Sequence, residues 1–310
     1  MSKKKSYRYL LYLLLRALQA LSLTLPRSLM LSVVSALGFL VWCMLPKERA
    51  KVIRHLELAF GKESSPQKLN QIGRSVFQNL GKTAVDTLRI PKFKKRWPQD
   101  ENLIQKDNTF CKFETALKAG KGLILLTAHI GNWELMTFCL TQAGYTGVII
   151  GKKIYYEPFN QVLEDIRQGT GVKILYREES PKVILRTLKD NLLVGILPDQ
   201  DVDSIEGIFV PFFGTLAYTA TAPAKISLAS GAPILPAFVV REGKRYRLIS
   251  GELIWPQEDL KRDEAITQMT MRWSHAVETV IRNYPEQWVW MHRRWKTRPQ
   301  PDLENAEKTF

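Results

Sequence analysis

Cysteine and histidine are scarce in this chain, which has three cysteines and four histidines among 310 residues. The cysteines form no Cys-x-x-Cys pair, and their odd number favours a reducing compartment over a disulfide framework. No histidine stands at zinc-ligand spacing from another histidine or a cysteine, so the sequence predicts no metal ion. It assigns no role to His55, His275 or His292.

Three catalytic and nucleotide-binding motifs are also missing. Without a Gly-x-Ser-x-Gly elbow, a serine hydrolase of the α/β-hydrolase type is disfavoured. Gly120-Lys121-Gly122 lacks the third glycine of a dinucleotide-binding loop. Leu80-Gly81-Lys82-Thr83 matches the end of a phosphate-binding loop, but Val76 replaces the first glycine that this loop requires. We therefore expect no cofactor.

Acidic residues are clearly fewer than basic residues. The chain has 45 lysines and arginines against 30 aspartates and glutamates, a net charge of +15. An excess of this size implies an acidic partner, which could be nucleic acid, an anionic membrane surface or an acidic protein.

The amino terminus favours the membrane among these partners. A basic start precedes two apolar runs, residues 9–25 and 29–45, and Pro46 ends the second run. Each run is near the lower length limit for a membrane span. A cleaved signal peptide would need an Ala-x-Ala site, which does not follow the first run, and a buried core helix is the other alternative. We favour two short membrane helices, or one span and one interfacial helix.

Beyond residue 110, predicted strands and helices alternate along the chain. Alternation of this kind is typical of an α/β fold with a mostly parallel central sheet flanked by helices. The predicted organisation has four parts: membrane-anchor helices at 1–46, a helical connecting region at 47–110, the α/β domain at 111–299 and a flexible tail at 300–310. Within the connecting region, the basic and aromatic residues 92–97 are either a solvated loop or a patch on anionic headgroups.

The first candidate site follows a predicted buried strand at residues 122–127. His129 would lie in the turn after this strand, and Glu134 would lie in the first turn of the helix that follows. In that arrangement the carboxylate can reach back to the imidazole. A carboxylate-oriented imidazole can take a proton from a hydroxyl group, so His129 and Glu134 are the predicted catalytic pair.

The second candidate site, residues 199–203, also follows a predicted buried strand. Ser204 and Val210 replace the glycine and glutamate that a calcium-binding EF-hand loop requires. Two interpretations remain: Asp199 and Asp201 bind a metal ion, as in nucleotide-sugar transferases, or the segment is a polar turn.

These segments together resemble the bacterial lysophospholipid and lipid A late acyltransferases, which carry a His-x-x-x-x-Glu/Asp motif. The resemblance covers roughly residues 47–299. Its matching segments are Ile124–Glu134, Asp165–Arg167, Val194–Asp201, Phe209–Gly214, Gly231–Pro236 and Gln287–Lys296.

The resemblance implies a glycerolipid-acyltransferase-like fold and roles for particular residues. His129, oriented by Glu134, would deprotonate the acceptor hydroxyl, and backbone N–H groups at the start of the helix after Gly131 would stabilise the oxyanion. The substrate-binding residues would be Asn132, Arg167, Asp199, Gln200 and Phe213. Within this set, Arg167 would hold a phosphate or phosphopantetheine, Asp199 would lie in the active-site cleft, and Phe213 would either line an acyl channel or pack in a loop. Ala222 departs from the glycine that relatives commonly have.

The implied function is membrane-associated O-acyl transfer at the cytoplasmic face of the bacterial inner membrane. The donor would be an acyl carrier protein or acyl-CoA, and the acceptor would be a lipid, often a lipid A precursor, with no nucleic-acid partner. The alternatives are a metal-dependent glycosyltransferase using Asp199 and Asp201, and a non-catalytic membrane or nucleic-acid binder. A binder would explain the charge but not the placement of His129 and Glu134.

Overall fold

A computed structural model of the chain describes residues 3–96, 103–106, 109–176 and 181–299. Its first part is helical, and prolines mark the starts of several helices, where a missing backbone N–H costs nothing. The helices are α1 (Lys3–Thr24), α2 (Arg27–Met44), α3 (Pro46–Phe60), α4 (Pro66–Leu88) and α5 (Ile90–Arg96). The predicted tail at 300–310 lies outside the described residues.

Helix α2 packs against α4 through one face and exposes the other. Its buried face comprises Met30, Val34, Gly38 and Trp42. The helices approach closely at Gly38, where an added Cβ would lie 2.6 Å from the carbonyl oxygen of Phe77. The exposed face is apolar, and among the described residues α2 alone has the length and hydropathy of a membrane span. Whether one helix or two enter the membrane stays a prediction.

Phe93 fits neither interpretation of residues 92–97, the solvated loop or the patch on anionic headgroups. Phe93, in α5, is buried in the protein core, and Nζ of Lys92 donates to the carbonyl oxygen of Leu23 at 3.0 Å. Trp97 lies outside the described residues. The interpretation that places Phe93 against headgroups is therefore wrong, because the side chain packs in the protein interior instead.

The second part of the chain alternates strands and helices, as the sequence predicted. The strands are β1 (Ile104–Lys106), β2 (Leu123–Leu126), β3 (Gly147–Gly151), β4 (Lys173–Tyr176), β5 (Leu193–Ile196), β6 (Gly207–Phe212), β7 (Thr215–Ala220), β8 (Ile234–Glu242) and β9 (Arg245–Ser250). The helices are α6 (Thr109–Lys118), α7 (Trp133–Gln142), α8 (Glu157–Thr170), α9 (Pro181–Lys189), α10 (Ala222–Ser230) and α11 (Arg262–Asn283).

Seven strands form the central sheet, in the order β1-β9-β8-β2-β5-β3-β4. All neighbours in it are parallel except β8 and β9. The predicted α/β fold with a mostly parallel sheet is confirmed. The sheet already includes β1, upstream of the predicted domain boundary at residue 111.

Helices cover both faces of the sheet, so its central strands are apolar on both sides. On β2, Leu123 and Leu125 point into one hydrophobic core, and Ile124 and Leu126 point into the other. The continuous apolar run at 122–127 follows from this burial on two sides.

A separate two-stranded hairpin, β6 and β7, was not predicted. Phe213 and Gly214 form its turn and both have positive φ angles, 53° and 70°. A two-residue turn with positive φ at both positions matches the right-handed twist of the strands it connects. Phenylalanine seldom adopts this conformation, which is why the sequence did not predict a hairpin here.

Candidate active site

The turn after β2 holds His129 at the carboxyl end of the sheet, where open α/β sheets place their ligands. Gly131 makes the turn possible because its φ is 62° and an added Cβ would lie 2.0 Å from the carbonyl oxygen of Val239. The backbone N–H of Gly131 donates to Gln287, and that of Asn132 donates to Val239. The turn is therefore clamped between β8 and the segment that follows α11.

The carboxylate that orients His129 is Asp199. Its Oδ1 lies 2.7 Å from Nδ1 of the imidazole, and its Oδ2 accepts from the backbone N–H of His129 at 2.9 Å. Glu134, which the sequence predicted in this role, instead accepts two hydrogen bonds from Arg167. This part of the prediction is wrong because both oxygens of Glu134 face the guanidinium group.

Asp199 is buried and remains ionised. Burial alone would raise the pKa of its carboxyl group, but the neighbouring imidazole and the hydrogen bonds from His129 and Trp288 hold that pKa well below its usual range. Nε1 of Trp288 donates to Oδ2 at 2.9 Å. A fixed carboxylate at Nδ1 favours the tautomer that carries its proton there, which leaves Nε2 of His129 as the proton acceptor.

Glu134 and Arg167 form a largely buried ion pair next to His129. The two hydrogen bonds are 2.9 Å and 2.6 Å long, and the side chains are 7% and 18% exposed. The forked geometry holds the guanidinium plane in place. Burial lowers the pKa of Arg167, but the Glu134 carboxylate outweighs this effect and raises it, so the guanidinium stays charged.

A second histidine, His292, lies beside the first. The two ring centroids are 5.0 Å apart, and Nε2 of Gln200 lies 3.3 Å from Nε2 of His129 and 3.0 Å from Nε2 of His292. Burial, together with the nearby His129, lowers the pKa of His292 to about 4. His292 is therefore neutral at physiological pH, and the amide of Gln200 bridges two imidazoles.

The structure gives Asn132 and Phe213 packing positions away from the cleft. The side chain of Asn132 caps α7 by accepting from the N–H of Leu135, and it is fully buried. Phe213 is buried against Phe60 and Trp290. Neither residue lines the cavity that His129 faces, so their predicted substrate contacts have no support in this geometry.

An apolar cavity of about 320 Å³ extends from His129 along one face of the sheet. Alternate residues of the strands and of the segments directly after them line it, such as Leu125 and Thr127 at β2 and Leu193, Gly195 and Leu197 at β5. Helices α7 and α8 cover it. Glu134, Arg167 and Gln200 lie in its wall together with His129, so the cavity has a polar cluster where the strands end and apolar walls elsewhere.

The two aspartates considered as metal ligands have different partners. Asp199 is bonded to His129 and Trp288, whereas both oxygens of Asp201 accept from Thr297. Within the described ranges, no group of three or more histidine, cysteine, aspartate or glutamate side chains is arranged to hold a metal ion. Nothing in this donor arrangement supports the glycosyltransferase alternative.

The start of α7 also narrows the choice of oxyanion donors. The N–H groups of Gly131, Asn132 and Leu135 already donate within the protein. The first N–H groups of a helix have no intrahelical acceptor, which leaves those of Trp133 and Glu134. The N–H groups of Trp133 and Glu134 belong to the predicted set, the donors at the start of the helix after Gly131, and their role stays a prediction.

Comparison with known proteins shows the family of the chain. The family model described as "Bacterial lipid A biosynthesis acyltransferase" matches residues 1–297. The chain belongs to this family. It is a lipid acyltransferase, as the resemblance of its motifs predicted.

Three curated relatives illustrate the range of the family. The chain is 30% identical to the lipid A biosynthesis lauroyltransferase of Escherichia coli (strain K12), over 82% of this chain and 81% of the relative. It is 28% identical to the palmitoleoyltransferase of the same strain, over 82% and 80%. It is 26% identical to the phosphatidylinositol mannoside acyltransferase of Mycobacterium tuberculosis (strain CDC 1551 / Oshkosh), over 59% and 57%.

Sequence reasoning missed His292 in this acyltransferase and gave Asp199 a different role in the site. It placed Asp199 in the cleft but not against His129, and it left His292 without a role. The one signal for His292 was its position in the terminal matching segment, Gln287–Lys296. Spacing could not reveal either pair, because His129 is 70 residues from Asp199 and Gln200 is 92 residues from His292.

Proposed function

We propose that the protein transfers an acyl chain directly from a thioester to a hydroxyl group of a lipid, with His129 as general base. The observation that carries this proposal is the hydrogen bond from Nδ1 of His129 to Asp199. Nε2 takes the hydroxyl proton while the oxygen attacks the thioester carbonyl. The C–S bond then breaks, and the proton passes from Nε2 to the leaving sulfur.

Asp199 stabilises the imidazolium that forms when Nε2 is protonated, because its carboxylate is fixed 2.7 Å from Nδ1. The N–H groups of Trp133 and Glu134, at the positive end of the α7 dipole, stabilise the developing oxyanion. Arg167 supplies a charged donor in the cavity wall and is held there by Glu134. This division of roles needs no acyl-enzyme intermediate.

The acyl chain occupies the apolar cavity in this proposal. Its lining runs from Leu193, the first residue of β5, to Leu197, directly after that strand, and four residue steps at ~3.3 Å each correspond to about 13 Å. An acyl chain buries apolar surface there while its thioester lies near His129. The donor is an acyl carrier protein, since such acidic partners are attracted to a chain with a net charge of +15, and acyl-CoA is the second candidate.

The acceptor proposed is a lipid A precursor, and the site of action is the cytoplasmic face of the bacterial inner membrane. The exposed side of α2 supports attachment, with Leu37 and Leu40 about half exposed. Residues 1–46 are accordingly proposed as the anchor and residues 47–110 as a connecting region.

The test of the reaction is His129→Ala in the full-length protein. Transfer should fall about 10²–10⁴-fold, because a positioned general base contributes on that order. Lipid mass spectrometry of a deletion strain carrying the variant should show the acceptor without the added acyl chain. Near-normal transfer by folded His129→Ala protein would refute the mechanism.

The test of attachment is Leu37→Glu with Leu40→Glu. Both side chains lie on the exposed face of α2, so the packing of its other face on α4 is preserved. Two buried charges oppose membrane insertion, and the protein should shift to the alkali-extracted fraction. Gln67→Glu with Asn70→Glu, on the exposed side of α4, is the control that should stay with the membrane.

A further inference from the structure

A second, strongly basic pocket lies between α3 and the segment after α11. Its volume is about 490 Å³, and six cationic side chains line it: Lys47, Lys51, Arg54, Arg293, Lys296 and Arg298. None of the described residues that line it is acidic. A concave site with this charge selects a compact, multiply charged anion.

Most of these charges are not neutralised by the protein. Lys51 pairs with Glu48 at a partly buried position, and Lys296 pairs with Asp203 at an exposed one. Among the described residues, no carboxylate lies within ion-pair distance of Arg54 or Arg293. Unpaired guanidinium groups are suited to bidentate contacts with phosphate oxygens.

Hydrogen bonds and ring contacts fix the two walls of the basic pocket. Nδ1 of His55 lies 2.8 Å from the carbonyl oxygen of Trp290, and the His55 and Trp295 rings pack with centroids 5.7 Å apart. Thr297 is bonded to Asp201 through both its N–H and its hydroxyl. The cations therefore project from a fixed frame, which lowers the entropic cost of binding an anion.

The basic pocket includes residues that are close in sequence to the reaction centre and to the apolar helix, and its Lys51 is near enough to His292 to lower the pKa of that histidine. Arg293 directly follows His292, which Gln200 connects to His129. Lys47 lies one residue after the start of α3, and the exposed apolar face of α2 ends at Met44. A lipid whose headgroup fills the basic pocket would thus lie at the level where α2 ends, with its hydroxyl groups near His129.

We propose that the basic pocket binds a phosphate group on the headgroup of the acceptor lipid. The proposal rests on the proposed acyl transfer to a lipid, and it assigns the acceptor to the basic pocket and the acyl chain to the apolar cavity. The acceptor phosphate contacts Arg54 and Arg293 from the two opposing walls. This places donor and acceptor in separate sites joined by the row His129, Gln200 and His292.

The test variant is Arg54→Gln with Arg293→Gln in the full-length protein. Its KM for the acceptor lipid should rise roughly tenfold or more, far beyond any change in its KM for the acyl donor. Arg262→Gln with Arg272→Gln removes two exposed arginines of α11 and should match the unaltered protein. If the KM for an acyl carrier protein rises instead, the basic pocket docks the donor; if neither KM changes, it binds no substrate. Either result overturns the proposal.

A second arm identifies the ligand with soluble probes. Dioctanoyl phosphatidic acid should inhibit competitively with respect to the acceptor, dioctanoylglycerol should not, and the Arg54/Arg293 variant should resist inhibition. Equal inhibition by inorganic phosphate would show a site for the free ion and contradict lipid recognition. Binding of fluorescent phosphatidic acid to His129→Ala protein measures the affinity of the basic pocket without catalysis. An error in the proposed mechanism would leave this binding intact, whereas an error in the proposed phosphate site would abolish it.

Discussion

Oδ1 of Asp199 lies 2.7 Å from Nδ1 of His129, although the two residues are 70 positions apart. Trp288 donates to the other oxygen of Asp199 from a third part of the chain. The imidazole is thus oriented by a carboxylate that is itself oriented, which supports the proposed role of His129 as general base.

Asp199→Asn should lower turnover about 10²–10⁴-fold with little change in either KM, because the carboxylate charge acts mainly when Nε2 is protonated. Steady-state kinetics with both substrates varied would measure this split. The control is Asp259→Asn, an exposed aspartate that should behave normally. A variant with unchanged turnover would show that Asp199 does not assist His129.

The Glu134–Arg167 pair should behave as one unit in a double-mutant cycle. Arg167→Met leaves a largely buried carboxylate unpaired, and Glu134→Gln leaves an unpaired guanidinium, each at a cost of about 3 kcal/mol. The free energy of unfolding lost by the double variant should be clearly smaller than the sum of the losses in the two single variants, as measured by urea unfolding in detergent. Additive losses would mean that the two side chains do not depend on each other.

Gly195→Ala should shorten the longest acyl chain that is transferred. The new Cβ would lie 3.0 Å from Cγ2 of Ile149, and both residues line the apolar cavity. Competition between acyl donors of graded length would show the shift by mass spectrometry. Gly169→Ala is a matched control, because nothing lies within 4 Å of its added Cβ. An unchanged chain-length profile for Gly195→Ala would remove the acyl chain from this cavity.

Acid should destabilise the protein partly through His292. Its pKa is about 4 in the folded state, against an ordinary value of 6.5, so the unfolded chain takes up this proton first. Stability should therefore fall as the pH drops from about 6.5 to about 4. His292→Asn cannot titrate and should show a shallower loss over this range, as measured by urea midpoints at successive pH values. Equal slopes would mean that His292 is accessible to protons in the folded state.

The acyltransferase fold was largely predictable because its strands and helices follow from the pattern of apolar and polar residues within each element. The predicted strand at 122–127 and the helix predicted after it each depend on residues within one element. The hairpin β6–β7 was missed because a phenylalanine with positive φ occupies its turn. The burial of Phe93 was not predicted, because a run of basic and aromatic residues does not show which of its side chains will pack in the core.

The sequence by itself determined the alternation of strands and helices, the position of His129 after a buried strand and the family of the enzyme. Only the tertiary structure decided which carboxylate serves the imidazole. Glu134 was the nearer candidate in sequence, but α8 brings Arg167 to it, and β5, paired with β2, brings Asp199 to His129. Hydrogen-bond partners follow from which strands and helices are neighbours, and that adjacency is a property of the packed sheet rather than of spacing along the chain.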